Sequence, residues 1–438
     1  MSDLVGAKTI HDPVHGSIRV DGLFLDLLDR HEMQRLRGVK QLGAANLVFP
    51  GANHTRFEHC LGAYHLAGGM AEAIGLSEDD SLAVRTAGLL HDICHAPYSH
   101  TLESIMEEVT GQDHMELARN LIMGNIKTFP DRDADLFDGQ ETMAEIIREA
   151  GVDPVQVCDL IAYPETTSRE SLDFVPGKDD HFPSKDYIHQ IIHGPVDCDQ
   201  MDYLLRDAHY TGVVLGQFDI DRILSKLRVV NDRICIDKGA APAAEGLMVS
   251  RSLMYSSVYF HPTVRILNRM ITKAVLASGL DLREMYLWND SDLAHSLYGC
   301  GGVSSKLMRL VNNRLFYHHA VLVSNDETTE ELAQFLAKHE SLEGRRLLES
   351  QISEKAGIDE SEVCVEMPPE SNFKSTLKIG KTDVSIVNSE GKIRSLTKTS
   401  PIAKALQARN SFGWSLVVGC PAEHRDAVIK ATSKVLGI

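Results

Sequence analysis

Three imidazoles and a carboxylate fall within ten residues, in His91-Asp92-Ile93-Cys94-His95-Ala96-Pro97-Tyr98-Ser99-His100. An adjacent His and Asp can offer one divalent ion a nitrogen and an oxygen. On a helix, His95 lies one turn beyond His91 and on the same face. A structural histidine usually stands alone, so a cluster of this kind points to a metal or catalytic site. A mononuclear site takes about four protein ligands, or three and a water. Further donors lie at a distance. Thr55-Arg56-Phe57-Glu58-His59 supplies a histidine where an apolar-periodic segment begins, and Val196 to Asp207 is dense in carboxylates. In that second stretch helical spacing puts Asp199, Tyr203 and Asp207 on one face. Asp202 and Arg206, on a neighbouring face, read as a surface ion pair.

These groups need elements to carry them, and most of Gly22 to Leu160 is helix-periodic. The Ser77–Leu90 segment has apolar residues at helical spacing leading straight into His91, with Ser77 as its N-cap. Pro97 interrupts, and a new helix is expected near Ser99 with Glu103 in its first turn. Lys8 to Val20 reads as extended structure and a turn, broken at Pro13 and Gly16. Tyr163 to Lys185 is polar and reads as a long loop, a lid or an oligomer contact. Val229 to Ile236 reads as a hairpin around Asn231-Asp232. Ala244 to Ser278 predicts one long helix, or two with a kink near Pro262, and Asp290–Asn312 and Thr328–Ala337 are helical again. From Leu342 the pattern changes: a helix, short strands at Val363–Val365 and Val384–Val387, a turn at Asn388-Ser389-Glu390-Gly391 and a partner strand. A helix from Pro401, a strand at Trp414–Gly419 and a helix from Ala422 follow. The expected architecture is mainly α, with a helical core over 1–340 and a small α/β domain over 341–438.

Composition bounds the function. The chain has 438 residues, 43% of them apolar, enough for two or three domains with ample cores. No apolar run reaches ~18 residues, so no membrane-spanning helix is expected, and Met1 to Val5 lacks the basic and apolar regions of a signal peptide. Eight scattered cysteines without a C-x-x-C pair read as reduced thiols of the cytoplasm. Cys60 and Cys94 beside the histidines read as buried packing. A net charge of −18 argues against stable duplex nucleic-acid binding, which needs a phosphate-neutralising surface. It does not argue against a small anionic substrate, because a metal and a few arginines can invert the field of one pocket.

The order His, then His-Asp, then a distant Asp resembles the signature of the HD superfamily of metal phosphohydrolases. The flanking words His11-Asp12-Pro13-Val14-His15-Gly16, Gln34-Arg35-Leu36-Arg37, Lys40-Gln41-Leu42-Gly43, Val48-Phe49-Pro50-Gly51-Ala52 and Thr55-Arg56-Phe57-Glu58-His59 narrow it. They occur in that order in the dNTP triphosphohydrolases, which include the bacterial dGTPases and a mammalian enzyme joining a sterile-alpha-motif to an HD domain. The similarity runs from about Ile10 to about Arg269, with a small variable tail domain beyond it.

The resemblance implies a helical HD core and assigns roles. His59, His91, Asp92 and Asp199 are the expected metal ligands, for Mn, Fe, Zn, Ni or Mg. Such an ion polarises a phosphoryl oxygen and lowers the pKa of a water molecule. Arg56 is the expected phosphate cation, since a guanidinium binds phosphate oxygens bidentately. His100 matches the position for proton transfer to the leaving oxygen, Glu103 the carboxylate that orients it, and His95 and His114 further pocket histidines. Gln41, Leu42, Tyr203 and Asp207 match positions holding a deoxyribose. Asp29, Gln34 and Arg37 match positions where relatives bind an activating nucleotide between subunits, which implies a homo-oligomer, dimer or tetramer. One departure stands out. The mammalian-type pattern has lysine directly after the last metal-ligand Asp, and here that residue is Gln200, leaving Lys185 or Arg265 as substitute cations. The implied activity is hydrolysis of dNTPs at the α-phosphate. Alternatives are an HD phosphohydrolase acting on a nucleoside monophosphate, a cyclic nucleotide or a short oligonucleotide, and a nucleotide-sensing oligomer with a structural metal site.

Overall fold

The computed structural model describes residues 6–162, 186–368, 384–408 and 413–437. The expected lid or oligomer loop, Tyr163 to Lys185, lies outside the described residues.

The fold is mainly helical. At its centre the Arg56–Ile74 helix packs against the Glu78–Leu90 and Cys198–Thr211 helices. Local chemistry sets both ends of the first of these. Thr55 and Glu58 form a capping box at its start, and Gly75 closes it in the left-handed conformation (φ 70°). Ser77 caps the next helix by accepting from the Asp80 backbone N–H, as its position predicts.

Lys8–Asp12 (β1) and Gly16–Val20 (β2) form the N-terminal hairpin. Leu227–Val230 (β3) and Arg233–Asp237 (β4) form the hairpin expected around Asn231 and Asp232, both in the left-handed region that a tight turn requires. The helical stretch from residue 241 breaks before Pro262 rather than at it. An α-helix over Ala241–Met254 widens into a π-helical turn at Tyr255–Tyr259, and Pro262 then begins a fresh helix to Leu276. The expected helix near Ser99 is a 3₁₀ turn, Ser99–Thr101, followed by Glu103–Thr110.

The C-terminal α/β elements pair with two strands that precede residue 341. His318–Ser324 (β5), a strand that the periodicity leaves unassigned, precedes the expected boundary. It pairs antiparallel with Trp414–Cys420 (β9), which also pairs with Cys364–Glu366 (β6). Ser385–Val387 (β7) instead lies parallel to β4 and carries Ile393–Ser395 (β8) as the outer strand of a four-stranded sheet. The reason is backbone pairing: β4 has an edge that β7 satisfies. Val384, Ile386 and Leu396 accordingly join the main hydrophobic core, while Leu348, Ile352, Val365, Leu416 and Val428 build a second, smaller one.

A buried charge cluster ties the two cores. Arg269 holds Glu349 through two hydrogen bonds of 2.8 and 2.9 Å, and Lys273 reaches Glu349 and the carbonyls of Glu360 and Val363. Burial works against ionisation of Glu349, yet Arg269 and Lys273 hold its carboxyl below the usual carboxylate range. Among the described residues no helix is long and apolar enough to cross a membrane.

Candidate active site

Two segments close on one site. The first is the turn Leu90–Glu103, and the second is the Cys198–Thr211 helix. The expectation that His91 and His95 share a helix face does not hold. The helix ends at Leu90, His91 is its C-cap, and tight turns follow. Those turns bring both His91 and His95 onto the Asp92 carboxylate. His91 Nε2 is 3.5 Å from Asp92 Oδ1, and His95 Nε2 is 3.1 Å from the same oxygen. His95 then stacks on His114, with ring centroids 4.2 Å apart.

Tyr98 and Ser99 both take positive φ (58° and 54°), a costly conformation for residues with side chains. Distant groups hold them there. Asp290 accepts from the Tyr98 N–H at 2.7 Å and from the Lys40 N–H at 3.1 Å, and Ser99 Oγ donates to the Lys40 carbonyl at 2.6 Å. The strained turn is what brings His100 toward Arg56.

The residues expected to ligate a metal come together. His59 Nε2 lies 3.0 Å from Asp199 Oδ1 and 3.4 Å from Asp92 Oδ2, and His91 Nε2 lies 3.7 Å from Asp199 Oδ1. The other nitrogen of each ring is already used. His59 Nδ1 bonds Asp202 Oδ2 at 2.8 Å, and His91 Nδ1–H donates to the Gly88 carbonyl at 2.9 Å. In neutral rings the two Nε2 atoms are therefore acceptors facing carboxylate oxygens, buried and without a hydrogen-bond partner. Acceptors facing acceptors fit a cation between them, and His59, His91 and Asp92 form a group whose donor atoms could hold an ion. The surrounding carboxylates favour positive charge at this place: despite burial, Asp199 and Asp202 push the His59 imidazole up to about 10, so a bound cation takes the place of the Nε2 proton. Burial opposes ionisation of Asp199 and Asp92 as well. His59 and His91 nevertheless hold Asp199 well below its usual range, as Arg56, His91 and His95 hold Asp92.

Asp202 and Arg206 are not a surface pair. Both are fully buried. Asp202 accepts from Arg206 twice at 2.9 Å, bonds His15 Nε2 at 2.6 Å and holds His59, and Arg206 also reaches Asp12 at 2.7 Å. The Arg56–Ile74 helix makes room with Gly62, where a Cβ would stand 1.8 Å from Asp202 Oδ1. The helical spacing of the pair holds and its expected environment does not. The partners of the pair come from the N-terminal hairpin and from another helix, neither of which spacing can show. His15, Asp12 and Asp202 are thus site residues that the motifs leave without roles.

Around the cradle, Arg56 is buried. It donates to Ser99 Oγ at 3.0 Å, to Asp92 Oδ2, and toward His100 Nε2 at 3.1 Å. His100 is the exposed member, with 64% of its side chain accessible, and its Nδ1 meets Glu103 Oε2 at 3.0 Å. Glu103 also takes His114 Nδ1 at 2.6 Å. This contact raises His114 despite burial, whereas burial and then Arg56 push His95 well below the usual histidine range.

At the other end Asp207 accepts from Tyr259 at 2.6 Å and from His54 at 2.7 Å, and Gln41 is buried with its Oε1 unpartnered. Tyr203 stands edge-on to Tyr259 at 6.1 Å, and Leu42 is partly buried against the core. Tyr259 comes from the π-helical turn, and no motif marks it. Gln200 bonds Asp197 through its amide and accepts from Arg251 at 3.0 Å. Arg251 is therefore the cation beside the position where lysine is missing. Arg265 is not, because it is turned away onto Glu366 at 2.8 Å. Lys185 lies outside the described residues.

Asp29 and Gln34 line a cavity of about 810 Å³ with Asp26, Arg30, His31 and Phe137. Arg37 lies off that cavity, donating to Gln34 and covering the Phe57 ring at 3.6 Å.

Residues 56–166 match the HD domain model, and residues 218–438 match that of the HD associated region. The chain belongs to the HD-domain phosphohydrolase family. An uncharacterized protein of Methanocaldococcus jannaschii is 32% identical over 429 residues, which cover 95% of this chain and 80% of that protein. The human deoxynucleoside triphosphate triphosphohydrolase SAMHD1 is 30% identical over 288 residues, 61% of this chain and 44% of the human protein, so the match spans less than half of that relative. A solved structure of a hypothetical protein from Aquifex aeolicus superposes with a TM-score of 0.67 at 27% identity, covering 98% of this chain and all of the other.

Proposed function

We propose that the site hydrolyses deoxynucleoside triphosphates at the α-phosphate, releasing deoxynucleoside and inorganic triphosphate. The observation that carries this reading is the Arg56 guanidinium, which touches Asp92 of the cation cradle, Ser99 and His100 at once. A phosphoryl group drawn to Arg56 lies between the cradle and an imidazole placed to give up a proton. His59, His91, Asp92 and Asp199 would hold the divalent ion, Mn, Fe, Zn, Ni or Mg, which supplies Lewis-acid stabilisation of charge on the phosphoryl oxygens.

The remaining steps fall to the protein. Water adds to the α-phosphorus and the bond to the 5′-oxygen breaks. Once Arg56 turns from His100 Nε2 to the phosphate, His100, held at Nδ1 by Glu103, takes up a proton at Nε2 and delivers it to that oxygen, while the attacking water gives its own proton to solvent. His95, His114 and Arg251 bind phosphate oxygens. Gln41, Leu42, Tyr203 and Asp207 hold the deoxyribose, with Tyr203 occupying the space a ribose 2′-hydroxyl would need. The name of the human relative, a deoxynucleoside triphosphate triphosphohydrolase, describes this reaction.

A second reading, hydrolysis of a nucleoside monophosphate, cyclic nucleotide or short oligonucleotide, is favoured by the uncharged Gln200. Arg251 beside it supports the first. The test is a panel of dNTPs, NTPs and dNMPs with several divalent metals, with products separated by chromatography. Triphosphate from dATP and little turnover of ATP is the expected result. Equal turnover of ATP and dATP rejects the deoxyribose assignment, and phosphate or pyrophosphate as product rejects attack at the α-phosphate.

Regulation is part of the proposal. An activating nucleotide would sit at Asp29, Gln34 and Arg37, between copies of the chain in a dimer or tetramer. Lys8, 3.5 Å from Asp29, and Arg37 supply its cations. Its phosphates would face these two rather than the neighbouring cavity, whose wall carries Asp26, Glu141 and Glu149. A ligand shifts an assembly only if it binds the active form more tightly. A lag or sigmoid response to dNTP, relieved by a second nucleotide, is expected. Hyperbolic kinetics with an unchanged sedimentation profile would reject it.

A further inference from the structure

His54 stands behind the sugar end of the site, and the role inferred for it rests on the deoxyribose reading above. The residue is 1% exposed and lies two positions before the Arg56 helix. Its ring bonds Asp207 Oδ1 through Nε2 at 2.7 Å, while its backbone carbonyl accepts the Gln41 N–H at 3.1 Å. One residue therefore touches both groups assigned to the 3′-hydroxyl. Its own freedom is removed in turn. Tyr210 stacks on the ring at 4.6 Å with the planes 17° apart, and the Tyr210 hydroxyl is anchored on Glu58 at 2.6 Å. Glu58 is itself fixed by the capping box of the Arg56 helix. On the far side of the carboxylate, Tyr259 donates to Asp207 Oδ2.

The hydrogen-bond inventory points outward. An ionised Asp207 only accepts, so His54 must carry its proton on Nε2, which in the neutral ring makes Nδ1 an acceptor. Nδ1 is buried without a partner, and so is Gln41 Oε1. Two orphaned acceptors on residues joined by a backbone hydrogen bond, beside a carboxylate, are unusual in a packed interior, where nearly all buried polar atoms are paired. They fit a ligand that brings a hydroxyl donor.

We propose that His54 is the positioning residue of sugar selection. It sets the Asp207 carboxylate and the Gln41 backbone in one rigid frame, and a sugar 3′-hydroxyl completes that frame.

The experiment compares kcat/KM for a dNTP and its 2′,3′-dideoxy analogue. Wild-type protein comes first. A clear preference for the dNTP establishes the sugar reading, and equal values overturn it together with this inference. Given that preference, His54→Phe, which keeps the stack on Tyr210 but has no donor for Asp207, is expected to lower the dNTP-to-dideoxy ratio about tenfold, the worth of one hydrogen bond to a charged group. Bound metal should be unchanged. His54→Gln, whose amide N–H can reach Asp207, is expected to recover most of the ratio. A ratio unchanged in His54→Phe, with wild-type discrimination intact and the variant folded by circular dichroism, overturns the role of His54 alone. If His54→Phe is poorly folded, His54→Leu is compared with His54→Gln: a ratio lowered in the leucine variant and recovered in the glutamine variant supports the role, and equal ratios in the two overturn it.

Discussion

The two segments that close on the site gather their groups in opposite ways. In the turn from Leu90 to Glu103 the reactive groups are neighbours in sequence, and His91 is tied by Gly88 only three residues away. The Cys198–Thr211 helix spreads its groups at helical spacing and faces two directions. Asp199, 37% accessible, meets the histidine cradle and Asp207 is buried against His54 and Tyr259, on the side assigned above to substrate and called the cleft side, while Asp202 and Arg206 look inward to His15, Asp12 and His59. Groups at helical spacing on one helix, Asp199 and Asp207 eight apart and Asp202 and Arg206 four apart, thus meet different sets of partners. The loop's reactive inventory could be read locally, though not its turns, which Asp290 and Lys40 hold from a distance; the surroundings of the helix could not, because burial of a charged pair depends on what other chain segments place against it.

Substitutions along these segments test that contrast. The largest effect is expected from Asp199→Ala on the cleft-facing side. It should abolish bound metal and lower activity by about 10³-fold or more, several kcal/mol of transition-state stabilisation, with the helical circular dichroism retained. Elemental analysis finding full metal occupancy would remove Asp199 from the ligand set.

His100→Ala, in the loop, should lower kcat by about 10²- to 10⁴-fold with substrate binding largely kept, the range of general acid catalysis. Near-normal turnover would move the acid to His95 or His114. Glu103→Gln sharpens the same point through pH. Glu103 raises His114 above its usual value, so His114 stays protonated to higher pH while that carboxylate is present. Neutralising Glu103 lets the proton leave at lower pH, and the alkaline limb of the kcat/KM profile should shift toward acid. A superimposable profile would mean that this histidine pair carries no functional charge.

The inward face of the helix gives a smaller, distinct effect. Asp202→Asn should weaken metal binding about 10- to 100-fold, as loss of a carboxylate behind a ligating histidine typically does, and leave the dNTP-to-dideoxy ratio alone. A metal affinity equal to wild type by titration calorimetry would make Asp202 purely structural. Asp207→Asn should reverse the pattern. It should keep the metal and lower that ratio roughly 5- to 150-fold, for a charged hydrogen bond of about 1–3 kcal/mol. If both variants moved both readouts alike, the two faces would not be separate functions.

The helices, the hairpin at Asn231-Asp232 and the cap at Ser77 were legible because each depends on residues within one or two turns of chain, and the capping box at Thr55 was equally local but went unread. The late α/β elements were legible for the same reason, whereas their arrangement was not. Strand β5 went unassigned, and the insertion of β7 beside β4 joins residues 150 positions apart.

The sequence by itself determined the chemical inventory: the histidines and aspartates able to hold a cation, the His100–Glu103 pair at a spacing that lets them meet, and the one-face stripe Asp199, Tyr203, Asp207. Tertiary structure alone decided which nitrogen of each imidazole faces the cradle, since that depends on Gly88 and Asp202 occupying the other one. It also decided that Asp202 and Arg206 are buried, that Arg251 rather than Arg265 stands by Gln200, and that His54 and Tyr259 hold Asp207. Residue type and spacing set what a side chain can do. Its protonated atom, its charge and its free lone pair are set by whichever neighbours the packed chain brings within hydrogen-bond reach, and, Gly88 beside His91 apart, those named here lie about 50 to nearly 200 residues away.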